Sequence, residues 1–212
     1  MTRPKIKICG ITSLEDALTA SDCGADALGF ILYDKSPRAV KPEQIAEIIR
    51  HLPVFVSTVG VFVDETIDRI RSIVDATGLD YAQLHGNEPL DMVRALGRKA
   101  IKAFRIKDAS SIREVNTSGL HVVLLDSYTS HYGGSGRGFN HELLQELSPA
   151  IRFILSGGIT PDNVCDIVNR FRPAAIDVSS GIEISPGKKS AAKIKLLFER
   201  LNACTDTGTW KS

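Results

Sequence analysis

The stretch Arg152-Phe-Ile-Leu-Ser-Gly-Gly-Ile159 is followed along the chain by Ala174-Ala-Ile-Asp-Val-Ser-Ser-Gly-Ile182. Each begins as a short apolar run and ends in serine and glycine, which is typical of a buried strand that runs into a tight turn. The segment between them opens with Thr160-Pro161 and carries apolar residues at helical spacing, which predicts a helix starting there. This order of strand, helix and strand indicates a parallel α/β fold.

The same alternation of strand-like and helix-like segments extends over the whole chain. The eight predicted strands are residues 5–11, 26–32, 54–63, 81–85, 100–105, 120–126, 152–156 and 174–179. A helical pattern follows each of them, and Leu143, Leu144 and Leu147 mark the sixth. Because eight such units close a sheet without an edge, we predict an α/β fold, a single-domain (β/α)8 TIM barrel over residues 1–203. The polar residues 204–212 are expected to form a flexible tail.

The composition is that of an ordinary globular protein, with 43% hydrophobic and 24% charged residues among 212. Its formal net charge of +1 creates no overall field that would attract nucleic acid or an anionic membrane, so neither is an expected partner. A small anionic ligand would need a local site. No apolar stretch approaches a membrane span, and no signal segment precedes the first strand, so we expect a cytoplasmic protein. With no conspicuous exposed apolar helix face, we also expect a monomer.

The cysteines are Cys9, Cys23, Cys165 and Cys204. No two of them have the C-x-x-C spacing and no histidine cluster accompanies them, which argues against a zinc site and against a disulfide framework. We therefore expect reduced thiols, no metal and no cofactor.

Titratable residues stand at the ends of predicted strands. Cys9 ends the first strand, His85 the fourth and Asp126 the sixth. Parallel barrels build their active sites at these ends, where a thiolate can remove a proton and a carboxyl group can donate one. Cys9 and Asp126 therefore suggest acid–base chemistry, although either can also be a strand-end residue without a task. His85 is either a site residue or a hydrogen-bonded structural histidine.

Glycine-rich segments follow three of the predicted strands. Gly157 and Gly158 come after the seventh, and Ser180 and Gly181 after the eighth, which is where barrels commonly hold phosphate groups. The Gly/Ser-rich loop 127–139 directly follows the sixth strand, and we predict that it closes over a bound ligand.

These motifs, taken in order, resemble those of the phosphoribosylanthranilate isomerase family. They are Lys7-Ile-Cys-Gly-Ile-Thr12, Leu28-Gly-Phe-Ile31 with Ser36-Pro-Arg38, Gln83-Leu-His-Gly86, Leu124-Leu-Asp-Ser127, Gly133-Gly-Ser-Gly-Arg-Gly-Phe139, Leu155-Ser-Gly-Gly-Ile159 and Asp177-Val-Ser-Ser-Gly-Ile-Glu183 with Pro186-Gly-Lys-Lys189. The resemblance runs from residue 5 to about residue 202 without a large insertion. Gly138 and the C-terminal tail depart from the family pattern.

The resemblance implies a barrel of the ribulose-phosphate-binding type with a phosphoribosyl small-molecule substrate. The implied reaction is the Amadori rearrangement of N-(5-phosphoribosyl)anthranilate to 1-(2-carboxyphenylamino)-1-deoxyribulose 5-phosphate, in tryptophan biosynthesis. Asp126 would protonate the furanose ring oxygen, and Cys9 would take the proton from C2. Free Asp and Cys titrate near ~3.9 and ~8.5, so both need surroundings that move them towards neutrality. The helix that begins at Thr12, or the cationic intermediate, would help Cys9.

The resemblance also assigns the remaining site residues. Arg38 would orient the anthranilate carboxylate through its planar fork of donors, and His85 and Asp177 would contact the substrate. The phosphate would be held by Gly157, Gly158, Ser180 and Gly181.

Other interpretations remain at this point. A dual histidine/tryptophan pathway isomerase would typically carry Asp in the position of Cys9, and indoleglycerol-phosphate synthase would need a lysine acid. A non-catalytic phosphate-ligand-binding barrel would have no use for both Cys9 and Asp126.

Overall fold

The computed structural model of the protein describes residues 3–127 and 141–205, where eight parallel strands form a closed barrel. The strands are β1 (Lys5–Cys9), β2 (Ala27–Ile31), β3 (Ser57–Phe62), β4 (Tyr81–Leu84), β5 (Ala100–Ile106), β6 (Val122–Ser127), β7 (Arg152–Ser156) and β8 (Ala175–Val178). Each strand pairs with the next, and β8 closes the sheet on β1. The single-domain (β/α)8 barrel predicted from the sequence is confirmed.

Helices cover the outside of the barrel. They are α1 (Leu14–Asp22), α2 (Pro42–Ile49), α3 (Ile67–Thr77), α4 (Leu90–Leu96), α5 (Ala109–Thr117), α6 (Val164–Phe171) and α7 (Ala191–Thr205). In the two described ranges, no helix combines the length and the apolar character needed to cross a membrane. The predicted lid at 127–139, except its first residue, and the tail beyond Thr205 lie outside the described residues.

Two helices differ from the prediction. The leucine-rich sixth segment forms a 3-10 helix, His141–Glu146, and Pro149 shortly beyond it disfavours helical backbone at Ser148. The seventh predicted helix, α6, starts at Val164 rather than at Thr160-Pro161. The Asn163 side chain accepts a hydrogen bond from the Thr160 N–H and donates one to the Gly158 carbonyl, each at 2.8 Å, so these residues form a turn before the helix.

The alternation of side chains along each strand divides residues between two environments. Ile6 and Ile8 are fully buried in the apolar cluster between barrel and helices. Lys7 and Cys9 have the opposite parity, which places them inside the barrel, where they are 4% and 6% exposed. The interior of the barrel is therefore partly polar, although the strands read as mainly apolar runs.

A short hairpin follows β8 and was not predicted. A 3-10 turn, Ser180–Ile182, leads into β9 (Glu183–Ser185), which pairs antiparallel with β10 (Lys188–Lys189). The Thr12 hydroxyl donates to the Gly187 carbonyl, so the hairpin lies against the loop after β1. This contact brings Glu183 and Lys189 to the C-terminal end of the barrel.

Candidate active site

A pocket opens at the C-terminal ends of the barrel strands. It is lined by all of the residues predicted for the site, namely Cys9, Arg38, His85, Asp126, Gly157, Gly158, Asp177, Ser180 and Gly181. Strand alternation explains why Cys9, Asp126 and Asp177 converge, because side chains of one parity point into the barrel and those near the strand ends reach its mouth. The other residues lie in the segments that follow the strands.

A chain of hydrogen bonds inside this pocket ends on Asp126. His85 Nε2 lies 3.1 Å from Asp126 Oδ2, and Gln83 Nε2 lies 2.8 Å from His85 Nδ1. Gln83 Oε1 accepts a hydrogen bond from Lys7 Nζ at 2.9 Å, which fixes the orientation of the amide. His85 Nδ1 must then accept from the Gln83 amide, and a neutral His85 donates its Nε2–H to Asp126. His85 is therefore a direct partner of Asp126.

Cys9 lies in a crowded electrostatic environment. Burial is the largest influence and raises the pKa of the Cys9 thiol, and Asp177 acts in the same direction. Lys7 and Lys189 favour the thiolate and lower the pKa, without reversing the upward shift. The expected role of Cys9 needs surroundings that move this pKa towards neutrality, with help from the following helix or from the cationic intermediate. In the structure α1 starts only at Leu14, and the thiol is almost withdrawn from water. Ionisation of Cys9 therefore depends on the neighbouring cations.

Arg38 is buried at the rim of the pocket rather than exposed on a loop. Its Nε donates to Glu183 Oε1 at 2.9 Å and its Nη2 to Glu183 Oε2 at 2.7 Å. Lys189 Nζ also lies 2.8 Å from Glu183 Oε1. Burial alone would raise the pKa of Glu183, but the hydrogen bonds from Arg38 and Lys189 lower it, so the carboxylate stays charged. Part of the Arg38 fork is thus already used within the protein.

Two glycine turns, one after β7 and one after β8, lie against each other in the pocket. Gly157 and Gly158 have φ angles of 92° and 70°, which side chains rarely adopt. A Cβ atom on Gly181 would overlap the carbonyl oxygen of Ile159, so the turn after β8 approaches the turn after β7 too closely for any side chain. The main chains of the two turns therefore come together at this part of the site.

Several polar residues of the site were not predicted from the sequence. Lys7 shares a face of β1 with Cys9, and this two-residue spacing could have identified it. Arg105 lines the pocket from β5, where a charged residue inside a strand is the corresponding signal. Gln83 stood only inside a family motif. Lys189 lies on the unpredicted hairpin and, like Gln83, stood only inside a family motif.

The family of the chain follows from comparison with known proteins. The model of the family N-(5'phosphoribosyl)anthranilate (PRA) isomerase matches residues 6–200. An N-(5'-phosphoribosyl)anthranilate isomerase of Pelobacter propionicus is 47% identical over 192 residues, which cover 90% of this chain and 92% of that protein. The phosphoribosyl anthranilate isomerase of Thermus thermophilus superposes with a TM-score of 0.87 at 40% identity, over 94% of this chain and 98% of that one.

Two further solved structures extend the comparison. One is a phosphoribosyl anthranilate isomerase in complex with reduced 1-(o-carboxyphenylamino)-1-deoxyribulose 5-phosphate, with a TM-score of 0.82 at 35% identity over 94% of this chain and 99% of that one. The other shows monomers made from a dimeric phosphoribosylanthranilate isomerase of Thermotoga maritima, with a TM-score of 0.83 at 34% identity over the same shares of the two chains. Barrel, site motifs and sequence identity agree over nearly the whole chain, which belongs to the N-(5'-phosphoribosyl)anthranilate isomerase family.

Proposed function

We propose that this protein catalyses the Amadori rearrangement of N-(5'-phosphoribosyl)anthranilate to 1-(2-carboxyphenylamino)-1-deoxyribulose 5-phosphate, a step of tryptophan biosynthesis. The observation that carries the proposal is the match to the isomerase family over residues 6–200, in a chain whose predicted acid, base and phosphate residues line one pocket. It is an isomerase of the aldose–ketose type.

The substrate is proposed to lie across the pocket between the glycine turns and Arg38. Its phosphate binds the turns around Gly157 and Gly181, where backbone can approach closely. Its carboxylate meets the side of the Arg38 guanidinium that Glu183 does not occupy. Asp177 Oδ1 is buried and has no hydrogen-bond partner among the described residues, so it can accept a hydrogen bond from the substrate.

Asp126 is proposed to act as the acid. It gives its proton to the furanose ring oxygen, the bond from that oxygen to C1 breaks, and the nitrogen lone pair forms a cationic Schiff base with C1. The Nε2–H of His85, held by Gln83, donates to Asp126 Oδ2 and so orients the carboxyl group. His85 therefore contributes to the proposed chemistry by positioning the acid.

Cys9 is proposed to act as the base. Its thiolate takes the proton from C2, and the electrons of that C–H bond form a C1–C2 double bond as the C1–N double bond becomes single. The resulting enolamine is neutral. It becomes the ketone when the C2 hydroxyl loses its proton and C1 gains one, so the overall reaction is an isomerisation. Cys9 ends protonated and Asp126 ionised, and exchange with solvent restores both.

Two variants test this assignment. Cys9→Ser replaces the thiol with a hydroxyl group that is a poor base near neutral pH, and Asp126→Asn is nearly isosteric but has no proton to give. Each should lower kcat by more than about tenfold, since a general acid or base typically contributes 10²–10⁴. Loss of the anthranilate-type fluorescence of the substrate measures turnover, and binding of a reduced product analogue should persist.

Cys23→Ser is the matched control for the base, because Cys23 is a free thiol that follows α1 and does not line the pocket. It should keep wild-type turnover. Turnover close to wild type in Cys9→Ser or Asp126→Asn would remove that residue from the mechanism.

We further propose that the protein acts as a monomer in the cytoplasm. The cysteines of the chain are free in the structure, as is usual in a reducing compartment. Cell fractionation followed by the fluorescence assay tests the location, and activity confined to another fraction would contradict it.

A further inference from the structure

Lys7 is a buried charged residue to which the acid–base chemistry gives no role. It lies two residues before Cys9 on β1, on the same side of the strand. Its Nζ donates to Asp177 Oδ2 and to Gln83 Oε1, both at 2.9 Å, and its side chain is 5% exposed. Two buried partners on two other strands therefore hold the ammonium group in one place.

Gly29 shows how close the ammonium group and the thiol are to each other. It stands opposite Cys9 in the register of β1 and β2. A Cβ atom on Gly29 would lie 2.7 Å from Cys9 Sγ and 3.1 Å from Lys7 Nζ. Both groups thus fill the space that a side chain on β2 would take. The missing side chain lets a thiol and a cation share one small volume inside the barrel.

The charged groups that act on Cys9 come from four parts of the fold. Lys7 lies on β1, Asp177 on β8, Lys189 on β10 and Arg38 in the loop after β2. Asp177 opposes formation of a thiolate, whereas the cations favour it. Lys189 and Arg38 are already paired with Glu183. Lys7 has a double effect, because it attracts the thiolate and also neutralises the carboxylate that opposes it.

We propose that Lys7 is the positioning residue that makes Cys9 a base, by stabilising the thiolate and shielding it from Asp177. This inference rests on the proposed role of Cys9. Lys7 also orients Gln83, which holds His85 against Asp126. One ammonium group therefore supports the base directly and orients the acid through two side chains.

Lys7→Met tests the inference through the chemistry of the thiol itself. The rate at which iodoacetamide alkylates Cys9 is measured against pH, and mass spectrometry of the Cys9 peptide separates it from the other cysteines. Removal of a neighbouring cation should move the profile to higher pH and slow alkylation at neutral pH about tenfold or more. In the plot of kcat against pH, the acidic limb should also move to higher pH. Lys7→Arg should partly restore both the alkylation profile and the kcat profile.

Lys102→Met is the matched control. Lys102 is also a buried strand lysine, 2.8 Å from Glu88 Oε2, but it is not among the charged groups that act on Cys9. Its loss should lower stability and leave the alkylation profile of Cys9 unchanged.

If folded Lys7→Met alkylates at Cys9 as fast as the wild type or faster at each pH, the inference is overturned and Lys7 is a structural residue. If Lys7→Met does not fold, Lys7→Gln keeps a donor for Asp177 without the charge and gives the same measurement. Alkylation needs no turnover, so it separates this inference from the proposed function. A fully active Cys9→Ser would show that Cys9 is not the base, whatever the effect of Lys7 on the thiol.

Discussion

Arg38 pairs with one carboxylate of the protein, that of Glu183, and is proposed to bind the carboxylate of the substrate as well. The sequence placed it on a loop, where its loss should affect binding more than stability. In the structure it is 7% exposed and pairs with Glu183. Removal of one member of a buried ion pair is destabilising, although Lys189 still pairs with Glu183 and limits the cost. Both stability and binding must therefore respond to its loss.

Arg38→Ala is expected to raise KM about 10- to 100-fold, because a charge-assisted hydrogen bond contributes about 1.5–3 kcal/mol. It should also lower the thermal midpoint. The measurement compares the anthranilate substrate with its aniline counterpart, which lacks the carboxylate. Arg38→Ala should lose the preference for the anthranilate substrate over the aniline substrate. Glu183→Gln should lower the thermal midpoint but keep this preference. An equal loss for both substrates in Arg38→Ala would show that Arg38 does not read the carboxylate.

The residues of the site differ in how well a sequence can reveal them. Cys9, His85 and Asp126 could be found because strand ends meet at the mouth of a barrel, so position alone brings them together. The partners of Lys7 are 76 and 170 residues away, and no local pattern encodes such pairings. The pKa of Cys9 could not be predicted for the same reason, since burial and distant charges decide it.

At the scale of elements, the strands of the barrel were predicted more accurately than the hairpin and the turns that follow them. A buried parallel strand leaves a strong local signal, a short run of Ile, Val and Leu. The hairpin of β9 and β10 has very short strands, and contacts with Thr12 and Arg38 hold it in addition to its own Glu183–Lys189 ion pair, so the local sequence alone does not specify it. The two glycine turns likewise shape each other, because Gly181 fits only against the Ile159 carbonyl.

Gly181→Ala is expected to damage phosphate binding. The new Cβ would overlap the main-chain oxygen of Ile159, which cannot swing away, so the turn after β8 must move. Loss of one hydrogen bond to a charged group corresponds to about tenfold or more in affinity. Inhibition by inorganic phosphate measures this loss, and Ser180→Ala, which keeps every backbone N–H, should change it little. Unaltered phosphate inhibition in Gly181→Ala would place the phosphate elsewhere.

At the scale of the whole molecule, closure of the barrel makes the site. Lys7 and Asp177 meet because β8 pairs with β1, which joins the two ends of the sheet. The hydrogen-bond chain from Lys7 to Asp126 then crosses the interior by way of β4. The proposed acid and base are therefore connected only in the closed barrel. The count of strand–helix units was enough to predict this architecture, because an edgeless sheet of eight strands has few alternatives.

We expect the molecule to be a monomer. Exposed apolar side chains at the end of the barrel opposite the pocket provide a test of this prediction. Val54 and Phe55 precede β3 and are 79% and 98% exposed, and Phe55 has a φ of 72°. Monomers commonly carry apolar patches of about 300–600 Å², whereas a stable interface buries about 1,200 Å² or more. Val54 and Phe55, with the partly exposed Tyr81 beside Phe55, do not supply that area on their own. Light scattering should therefore give a mass near 23.0 kDa. If the mass is instead twice as large, and Phe55→Glu returns it to that of one chain, the protein is a dimer built on this patch.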